Sequence, residues 1–413
     1  MRQVPRIAYL ESIRGLAAVQ VLLLHCLAAF APSLVFALPA ANAVAGSIHL
    51  SPLYFLYDGY SAVYIFFALS GYVLTRSFER NRGQPWAQAI ARIVRLGLPA
   101  LAAVLVSSIV ILRFGKLNVT AGELSGSAWF ASQWDPDVSL FYVLKDATLN
   151  ALFLGYRNLP GVAFLGPWQQ PVEQSFVAPL WTLSIEFYGS MIVLALCWCG
   201  DRSSVLWRVA VLLGTAFLIR SAYICFIVGH VLATFERAEK PAPPSTMLPV
   251  FLVASGIFLC VLAEIWQPQW LRSLCSNQTD LLFPGQFAPM QQKTFGAMMV
   301  LTGLIHLESA RRFLSMRWLV ARSKLSFPLY LIHWPILFGP CAALFVFLNG
   351  SFGTEWARLA TIAVAIGLAF IASTLFLPAD RLALEWSRSL RKRWASRADQ
   401  LPRASPLRVM AGQ

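Results

Sequence analysis

Long apolar runs without charged residues recur along the whole chain, separated by short segments that carry Arg, Lys, Pro and polar residues. As helices that rise about 1.5 Å per residue, such runs cross the roughly 30 Å hydrocarbon core of a bilayer. Hydrophobic residues make up 58% of the 413 positions and charged residues only 13%, too few to cover a globular surface. The pattern predicts an all-α, polytopic membrane protein.

About ten spans account for the apolar runs, and an even number returns the chain to the side on which it starts. The predicted spans are 12–36, 53–75, 96–112, 179–199, 205–219, 222–235, 247–266, 294–307, 325–348 and 357–378. Segment 115–177 is expected outside the bilayer, with an amphipathic helix over 140–154 at the interface. One integral-membrane domain is expected over 1–380, followed by a basic, mobile tail over 381–413.

The net charge of +14 would suit a nucleic-acid-binding protein, but the basic residues are distributed as membrane topology requires. Most of the 33 Lys and Arg residues fall at the N-terminus, in alternate loops and near the C-terminus. The positive-inside rule places these segments, and both termini, in the cytoplasm. The seven cysteines have no metal-binding spacing and suggest no disulfide framework, so no metal site is expected.

Three ionisable residues fall in the middle third of predicted spans. Arg14 and His25 are eleven positions apart, so both project from one helical face, with His25 roughly 16 Å deeper in the bilayer. Glu186 is placed about 10 Å below the outer surface, and His333 about 12 Å from the inner surface. Ionisable groups are costly to keep at such depth, which favours a function for them.

These three side chains predict a buried reaction centre. A carboxylate beside an imidazole raises the basicity of the ring and fixes its orientation, as general-base catalysis requires. We therefore expect Glu186 to orient His25. In the structural alternative, each residue only bonds a neighbouring helix and fixes the packing. A competing functional class is a proton-coupled secondary transporter or flippase, in which His25, Glu186 and His333 relay protons.

Two arginines, Arg92 and Arg95, are three residues apart and share one helical face at the predicted cytoplasmic surface. The planar guanidinium group donates paired hydrogen bonds, which suits it to phosphate. With Arg14, which opens onto the same side, these arginines predict a site for a phosphorylated cytoplasmic cofactor. The alternative is ordinary positive-inside charge with no ligand.

Four separated stretches resemble the signatures of the acyltransferase 3 family of membrane O-acyltransferases. The first links Arg14 to His25 as in the Arg-x10-His signature of that family, and the second precedes Arg92-x-x-Arg95. The stretches are LESIRGLA at 10–17, IFFALSGY at 65–72, PLWTLSIE at 179–186 and LSFPLYLIHWP at 325–335. The chain departs from the family pattern at Tyr64 and at Asp380, and no catalytic role is expected at either position.

The resemblance implies a ten-helix domain that transfers an acyl group, most often acetyl, from cytoplasmic acyl-CoA. The implied acceptor is a hydroxyl of an exported or cell-surface glycan or glycolipid, and the implied location is the cell inner membrane. Neither nucleic acid nor metal is expected to take part. The implied site residues are His25, Glu186 and His333 for catalysis, Arg14, Arg92 and Arg95 for the donor, and Trp181, Ser184 and Tyr330 for substrate.

Overall fold

A computed structural model describes residues 8–36, 47–48, 51–80, 85–157, 159–160, 163–236, 246–276 and 285–400. Within these ranges the chain is helical almost throughout, which confirms the all-α class. The helices are α1 (Ala8–Phe30), α2 (Gly59–Arg80), α3 (Pro85–Phe114), α4 (Leu117–Ser125), α5 (Ala128–Ser132), α6 (Leu140–Lys145), α7 (Trp181–Trp198), α8 (Val205–Leu218), α9 (Ile224–Glu236), α10 (Met247–Leu262), α11 (Gln269–Ser276), α12 (Ala288–His306), α13 (Glu308–Leu314), α14 (Arg317–Ser323), α15 (Ser326–Ile336), α16 (Ala342–Phe352) and α17 (Thr354–Gln400). Two short strands, β1 (Tyr156–Arg157) and β2 (Gln170–Pro171), pair in parallel.

Six helical runs among the described residues are long and apolar enough to cross a membrane. They are Ala8–Phe30, Gly59–Arg80, Pro85–Phe114, Ala178–Trp198, Ser326–Phe352 and Thr354–Trp394. Helices α8, α9 and α10 are apolar but shorter. Helix α12 occupies the place of the predicted eighth span, but it is not among the six and carries buried Gln291, Gln292 and Lys293. The fold is therefore a multi-pass membrane architecture in which six of the ten predicted spans meet this criterion.

Several helices extend beyond the apolar runs that predicted them. Helix α2 continues past residue 75 to Arg80, and α3 begins at Pro85 rather than near residue 96. The prediction ended the spans near their first arginines. Arginine is nevertheless a good helix former, and its long side chain can extend along apolar surface toward water. The helices therefore project from the apolar region at the end where Arg80 and Pro85 lie, here termed the basic end.

The predicted ninth span is one continuous helical run with an irregular centre. Helix α15 leads into a π-helical turn, Leu337–Cys341, and then into α16. Pro335 and Pro340 lie inside this run. Proline lacks a backbone N–H and its ring crowds the preceding turn, so the regular hydrogen-bond ladder cannot continue there. The π-helical turn begins at Leu337, about one helical turn after His333.

Helix α17 crosses the predicted domain boundary at residue 380 without a break and continues to Gln400. Residues 381–400 are therefore helical rather than a mobile tail, and residues 401–413 lie outside the described part. The sequence change at Asp380 marks the end of the apolar run and not the end of the helix. Arginine, lysine, leucine and alanine, which dominate the extension, all favour helix.

The described residues of segment 115–177 form short helices, loops and the two paired strands β1 and β2. The amphipathic helix predicted over 140–154 is α6 followed by a π-helix, Asp146–Leu154. Asp146 is fully buried and accepts hydrogen bonds from Tyr156 Oη at 2.7 Å and from the backbone N–H of Phe176 at 2.9 Å. Burial raises the pKa of Asp146, while these hydrogen bonds oppose the rise. The carboxylate of Asp146 therefore joins the π-helix to β1 and to the backbone at Phe176. Leu140 and Phe141 of the preceding helix α6 are exposed.

Glycines allow the closest helix contact in the bundle. A side-chain Cβ at Gly229 of α9 would overlap the backbone oxygen of Ala68 in α2, and a Cβ at Gly71 would overlap that of Phe226. Small residues let helix backbones approach closely in membrane proteins, where packing contacts rather than a hydrophobic force between helices drive association. The backbones of α2 and α9 therefore approach each other closely, and α2 also lines the cavity described next.

Candidate active site

A cavity of about 720 Å³ lies at the basic end, among α1, α2, α3, α7, α15 and α17. Its volume falls within the roughly 300–1,000 Å³ range of small-molecule pockets. Eight basic and four acidic side chains line it, so the cavity is electropositive. Exposed Lys324, Arg381 and Arg388 mark its rim, and buried Val21 and Thr182 mark its inner end. This cavity is termed the vestibule.

Arg92 lines the vestibule and forms a buried ion pair with Glu186. Its terminal nitrogen Nη2 lies 2.6 Å from Glu186 Oε1, and its Nε donates to Ser190 Oγ at 3.0 Å. The Arg92 side chain is 16% exposed and that of Glu186 8%, so the pair is largely shielded from water. Glu186 lines the vestibule, and its Oε2 atom is buried with no hydrogen-bond partner among the described residues.

The other two predicted donor arginines also line the vestibule, and each faces a carboxylate. Arg95 Nη1 lies 2.5 Å from Asp380 Oδ1, and Arg14 Nη1 lies 3.5 Å from Glu11 Oε2. The structure thus brings Arg14, Arg92 and Arg95 to one cavity, as the sequence predicted. Asp380, which received no role, is a member of this site. Its position 285 residues after Arg95 gave no signal that the two would pair.

His25 and His333 form the second part of the candidate site. His25 Nδ1 lies 2.9 Å from His333 Nε2, and His333 Nδ1 lies 2.9 Å from the backbone oxygen of Leu329. A carbonyl oxygen only accepts, so His333 Nδ1 carries the proton and, in a neutral ring, Nε2 is the acceptor. His25 Nδ1 must then be the donor. This chain of bonds leaves the lone pair of His25 on Nε2.

Aromatic rings fix the orientation of the His25 imidazole. Trp129 stacks against it at 5.7 Å between centroids and 10° between planes, and Trp334 meets it edge-on at 5.3 Å. Trp334 is buried, and its Nε1 has no hydrogen-bond partner. Trp129 comes from α5, in the segment between the third and fourth predicted spans. Trp129 is not among the site residues predicted from the sequence.

The prediction that Glu186 orients His25 is wrong, because the two side chains do not pair in the structure. Glu186 bonds Arg92 in the vestibule, whereas the imidazole of His25 bonds that of His333. The similar predicted depths of His25 and Glu186 suggested that they form one cluster. Depth does not specify, however, in which direction a side chain projects from its helix. Glu186 lies four residues, about one turn, beyond Thr182 toward the basic end, so its carboxylate belongs to the vestibule.

The vestibule ends one helical turn short of His25. Val21, four residues before His25 on α1, lines its inner end together with Tyr330, whose ring centroid lies 6.3 Å from that of His333. The Tyr330 hydroxyl shares a hydrogen bond with Thr182 Oγ1 at 2.9 Å and donates to the backbone oxygen of Pro179 at 3.0 Å. Tyr330 therefore stands between the vestibule and the histidine pair.

Two predicted substrate residues lie outside the vestibule lining. Ser184 is buried and donates to the backbone oxygen of Trp181 at 3.1 Å. Trp181 packs between the two main hydrophobic clusters of the bundle. Thr182 and Leu183 line the cavity instead. Of the three residues predicted to bind substrate, only Tyr330 lines the vestibule.

Fold and site together define a class: a multi-pass helical membrane protein whose positively charged vestibule ends one helical turn from a pair of imidazoles, of which His333 is buried and His25 partly buried. A family profile described as an acyltransferase domain, that of acyltransferase 3, matches residues 7–378. This match spans nearly the whole chain, so the chain belongs to the acyltransferase 3 family and is an acyltransferase. No curated protein and no solved structure gives a significant match.

Proposed function

We propose that the protein transfers an acyl group, acetyl in the first instance, from cytoplasmic acyl-CoA to a hydroxyl of an exported or cell-surface glycan or glycolipid. The observation that carries this proposal is the electropositive vestibule ending one turn from His25. Family membership favours acyl transfer over the proton-coupled transporter or flippase. The glycan acceptor rests on the range of acceptors that the family resemblance implies.

We further propose ten spans, cytoplasmic termini and location in the inner membrane. The six long apolar runs, the three shorter apolar helices α8, α9 and α10, and α12 together supply ten membrane crossings. With ten crossings, the start of α1 and the point at which α17 leaves the apolar region lie on the same side of the membrane. The basic end of the protein faces that side. The positive-inside rule makes that side the cytoplasm, where acyl-CoA is available.

The vestibule suits the donor in charge and in its hydrogen-bonding groups. Arginines along its wall attract the phosphates of CoA, and guanidinium groups bind phosphate oxygens in pairs. The pantetheine arm carries amide N–H groups, for which the Oε2 atom of Glu186 is an available acceptor. The thioester end then points toward Val21 and Tyr330. Displacement of the Tyr330 ring brings the thioester to the histidine pair.

His25 Nε2 acts as the base in this mechanism. It takes the proton from the acceptor hydroxyl while the acceptor oxygen attacks the thioester carbonyl carbon. The tetrahedral intermediate then expels the CoA thiolate, which recovers that proton from the imidazolium and leaves as the thiol. The hydrogen bond from His25 Nδ1 to His333 Nε2 holds the ring in place and stabilises the imidazolium. An acyl-enzyme route would use the same Nε2 atom.

The test is acetyl transfer by purified protein in lipid nanodiscs supplied with acetyl-CoA and exported glycan. We expect His25→Ala to abolish transfer while acetyl-CoA still binds, because the vestibule keeps its arginines. His306→Gln is the matched control, since His306 is exposed and does not line the vestibule. Transfer by His25→Ala at the wild-type rate, or failure of the wild type to bind acetyl-CoA, would overturn the proposal.

A further inference from the structure

The extension of α17 beyond Asp380 forms one wall of the vestibule. The residues of this extension that line the cavity are Arg381, Leu384, Glu385, Ser387, Arg388 and Arg391. Their spacing of three or four residues puts them on one face of the helix. From Asp380 to Arg391 the helix advances about 16 Å, which carries the wall from the arginine–carboxylate pairs out to the rim.

The extension is fixed against the rest of the bundle. Arg95 of α3 pairs with Asp380 at the base of the extension, and the ring of Trp86 contacts that of Trp394 near its far end. Two attachments to the same helix, fourteen residues apart, hold this wall at a constant angle to α3. The arginines between them are therefore part of the vestibule rather than of a free tail.

The basic residues of the vestibule fall into two electrostatic groups. Arg14, Arg92 and Arg95 each have a carboxylate partner within the cavity. Arg388 has no ion pair or hydrogen bond among the described residues, and the Nε of Arg391 donates only to the backbone oxygen of Ser387 at 3.4 Å. Of the five other basic side chains that line the cavity, Arg381, Arg388 and Arg391 lie on the extension together with one acid, Glu385. Burial lowers the pKa of Arg391, and the nearby positive charges of Arg388, Arg92 and Arg80 lower it further.

We propose that Arg388 and Arg391 bind the 3′-phosphate of the donor nucleotide. This inference rests on the proposed function, which requires the thioester to face the inner end at Val21 and Tyr330. The nucleotide is the opposite end of the CoA molecule and therefore lies at the rim, beside the extension. A phosphate dianion relieves the repulsion between these arginines and accepts hydrogen bonds from both guanidinium groups.

The experiment measures equilibrium binding to the full-length protein in phosphatidylcholine nanodiscs. The probes are acetyl-CoA, acetyl-3′-dephospho-CoA and adenosine 3′,5′-bisphosphate. The variant is Arg388→Gln with Arg391→Gln, and Arg388→Lys with Arg391→Lys tests the need for charge alone. Lys392→Gln is the matched control, since it removes one charge from the same helix at an exposed residue that does not line the vestibule.

We expect the wild type to bind acetyl-CoA about tenfold or more tightly than the dephospho analogue, as charge-assisted hydrogen bonds to one phosphate allow. The glutamine variant should lose this discrimination, with a weaker Kd for acetyl-CoA and for the bisphosphate but an unchanged Kd for the dephospho analogue. The lysine variant should retain part of the difference in affinity between acetyl-CoA and the dephospho analogue. Lys392→Gln should retain the whole difference. Equal affinity of the wild type for the two CoA esters would overturn the assignment of the 3′-phosphate to Arg388 and Arg391, while leaving the proposed function intact. If the wild type bound neither ester, both this assignment and the proposed function would be wrong.

A phospholipid headgroup presents the same phosphate chemistry, so a second arm adds phosphatidylglycerol to the nanodiscs. We expect no competition between this lipid and adenosine 3′,5′-bisphosphate. If the lipid displaces the bisphosphate from the wild type but not from the glutamine variant, the extension binds lipid, and the nucleotide assignment is wrong.

Discussion

In the proposed mechanism a neutral imidazole, rather than a carboxylate, is the partner of the base His25. His333 is anchored by its bond to the Leu329 carbonyl, and it presents an acceptor nitrogen to His25. In an apolar interior this arrangement avoids the cost of a buried carboxylate and still holds the base in one tautomer. The carboxylate that the sequence offered for this task, Glu186, instead balances the charge of Arg92.

Replacing His333 by alanine should lower kcat about 100-fold or more and leave the KM for acetyl-CoA nearly unchanged. The substitution removes the acceptor that orients His25 and stabilises its imidazolium, and contributions of this kind lie in the range of about 10²–10⁴-fold. Steady-state kinetics on purified protein measures both constants. A wild-type kcat in His333→Ala would show that the His25–His333 bond plays no part in catalysis.

The Arg92–Glu186 pair should be more sensitive to single replacements than to a double one. Removing one partner of a buried pair leaves an uncompensated charge and typically costs about 3–5 kcal/mol. Because the pair borders an open cavity, we expect the lower end of that range. The Tm of Arg92→Gln, of Glu186→Gln and of the double variant is measured by thermal unfolding in one detergent. Comparing the three shifts in Tm gives the interaction between the two residues. Strict additivity of the two shifts in Tm would show that the pair contributes no mutual stabilisation.

At the scale of elements, close backbone contact matters most where α2 crosses α9. Gly71 and Gly229 each face a backbone carbonyl of the partner helix, so no side chain fits there without separating the helices. An apolar sequence gives little signal of this requirement, since the glycines look like ordinary small residues in a membrane helix. The crossing places Phe226 against Phe67, with ring centroids 5.4 Å apart.

Gly229→Leu should strongly reduce the yield of folded, monodisperse protein, because its side chain would overlap the backbone of α2. Gly367→Ala is the contrasting variant, since a Cβ at that position of α17 meets no neighbour within 4 Å. Alanine is also the better helix former by about 1 kcal/mol. Size-exclusion profiles of the two variants provide the comparison. Equal yields would contradict the close α2–α9 contact.

At the scale of the whole molecule, the distribution of charge predicts which side each loop faces. Ser132 is the last residue of α5 in the segment expected outside, and Ser203 lies between α7 and α8 in a loop expected in the cytoplasm. Both residues are exposed. The proposed meeting of a cytoplasmic donor with an external acceptor depends on this predicted assignment.

Single cysteines at these positions, in a background without the seven native cysteines, test the topology. A membrane-impermeant maleimide should label Ser132→Cys in intact cells, whereas Ser203→Cys should be labelled only after the membrane is permeabilised. The reagent cannot cross the apolar core, so labelling reports the side of exposure. The reverse pattern would place the vestibule outside the cell, away from acyl-CoA.

The sequence alone determined the helical class, the multi-pass architecture and the three arginines that share the vestibule. These follow from local properties: the length of apolar runs, the cost of ionisable groups within them and the positions of arginines at their ends. Arg14, Arg92 and Arg95 were correctly grouped because each lies near the same end of a predicted span. The Arg14–His25 spacing likewise required only the geometry of one helix.

Only the tertiary structure decided which of these groups pair. His25 bonds His333, Glu186 bonds Arg92, and Asp380 bonds Arg95, in each case across at least 94 residues of chain. Apolar periodicity specifies how far along its axis a residue lies, but helix rotation and crossing angle decide which neighbour its side chain meets. Those quantities depend on packing, including the contacts of Gly71 and Gly229, and the packing also turns the predicted basic tail into a wall of the vestibule.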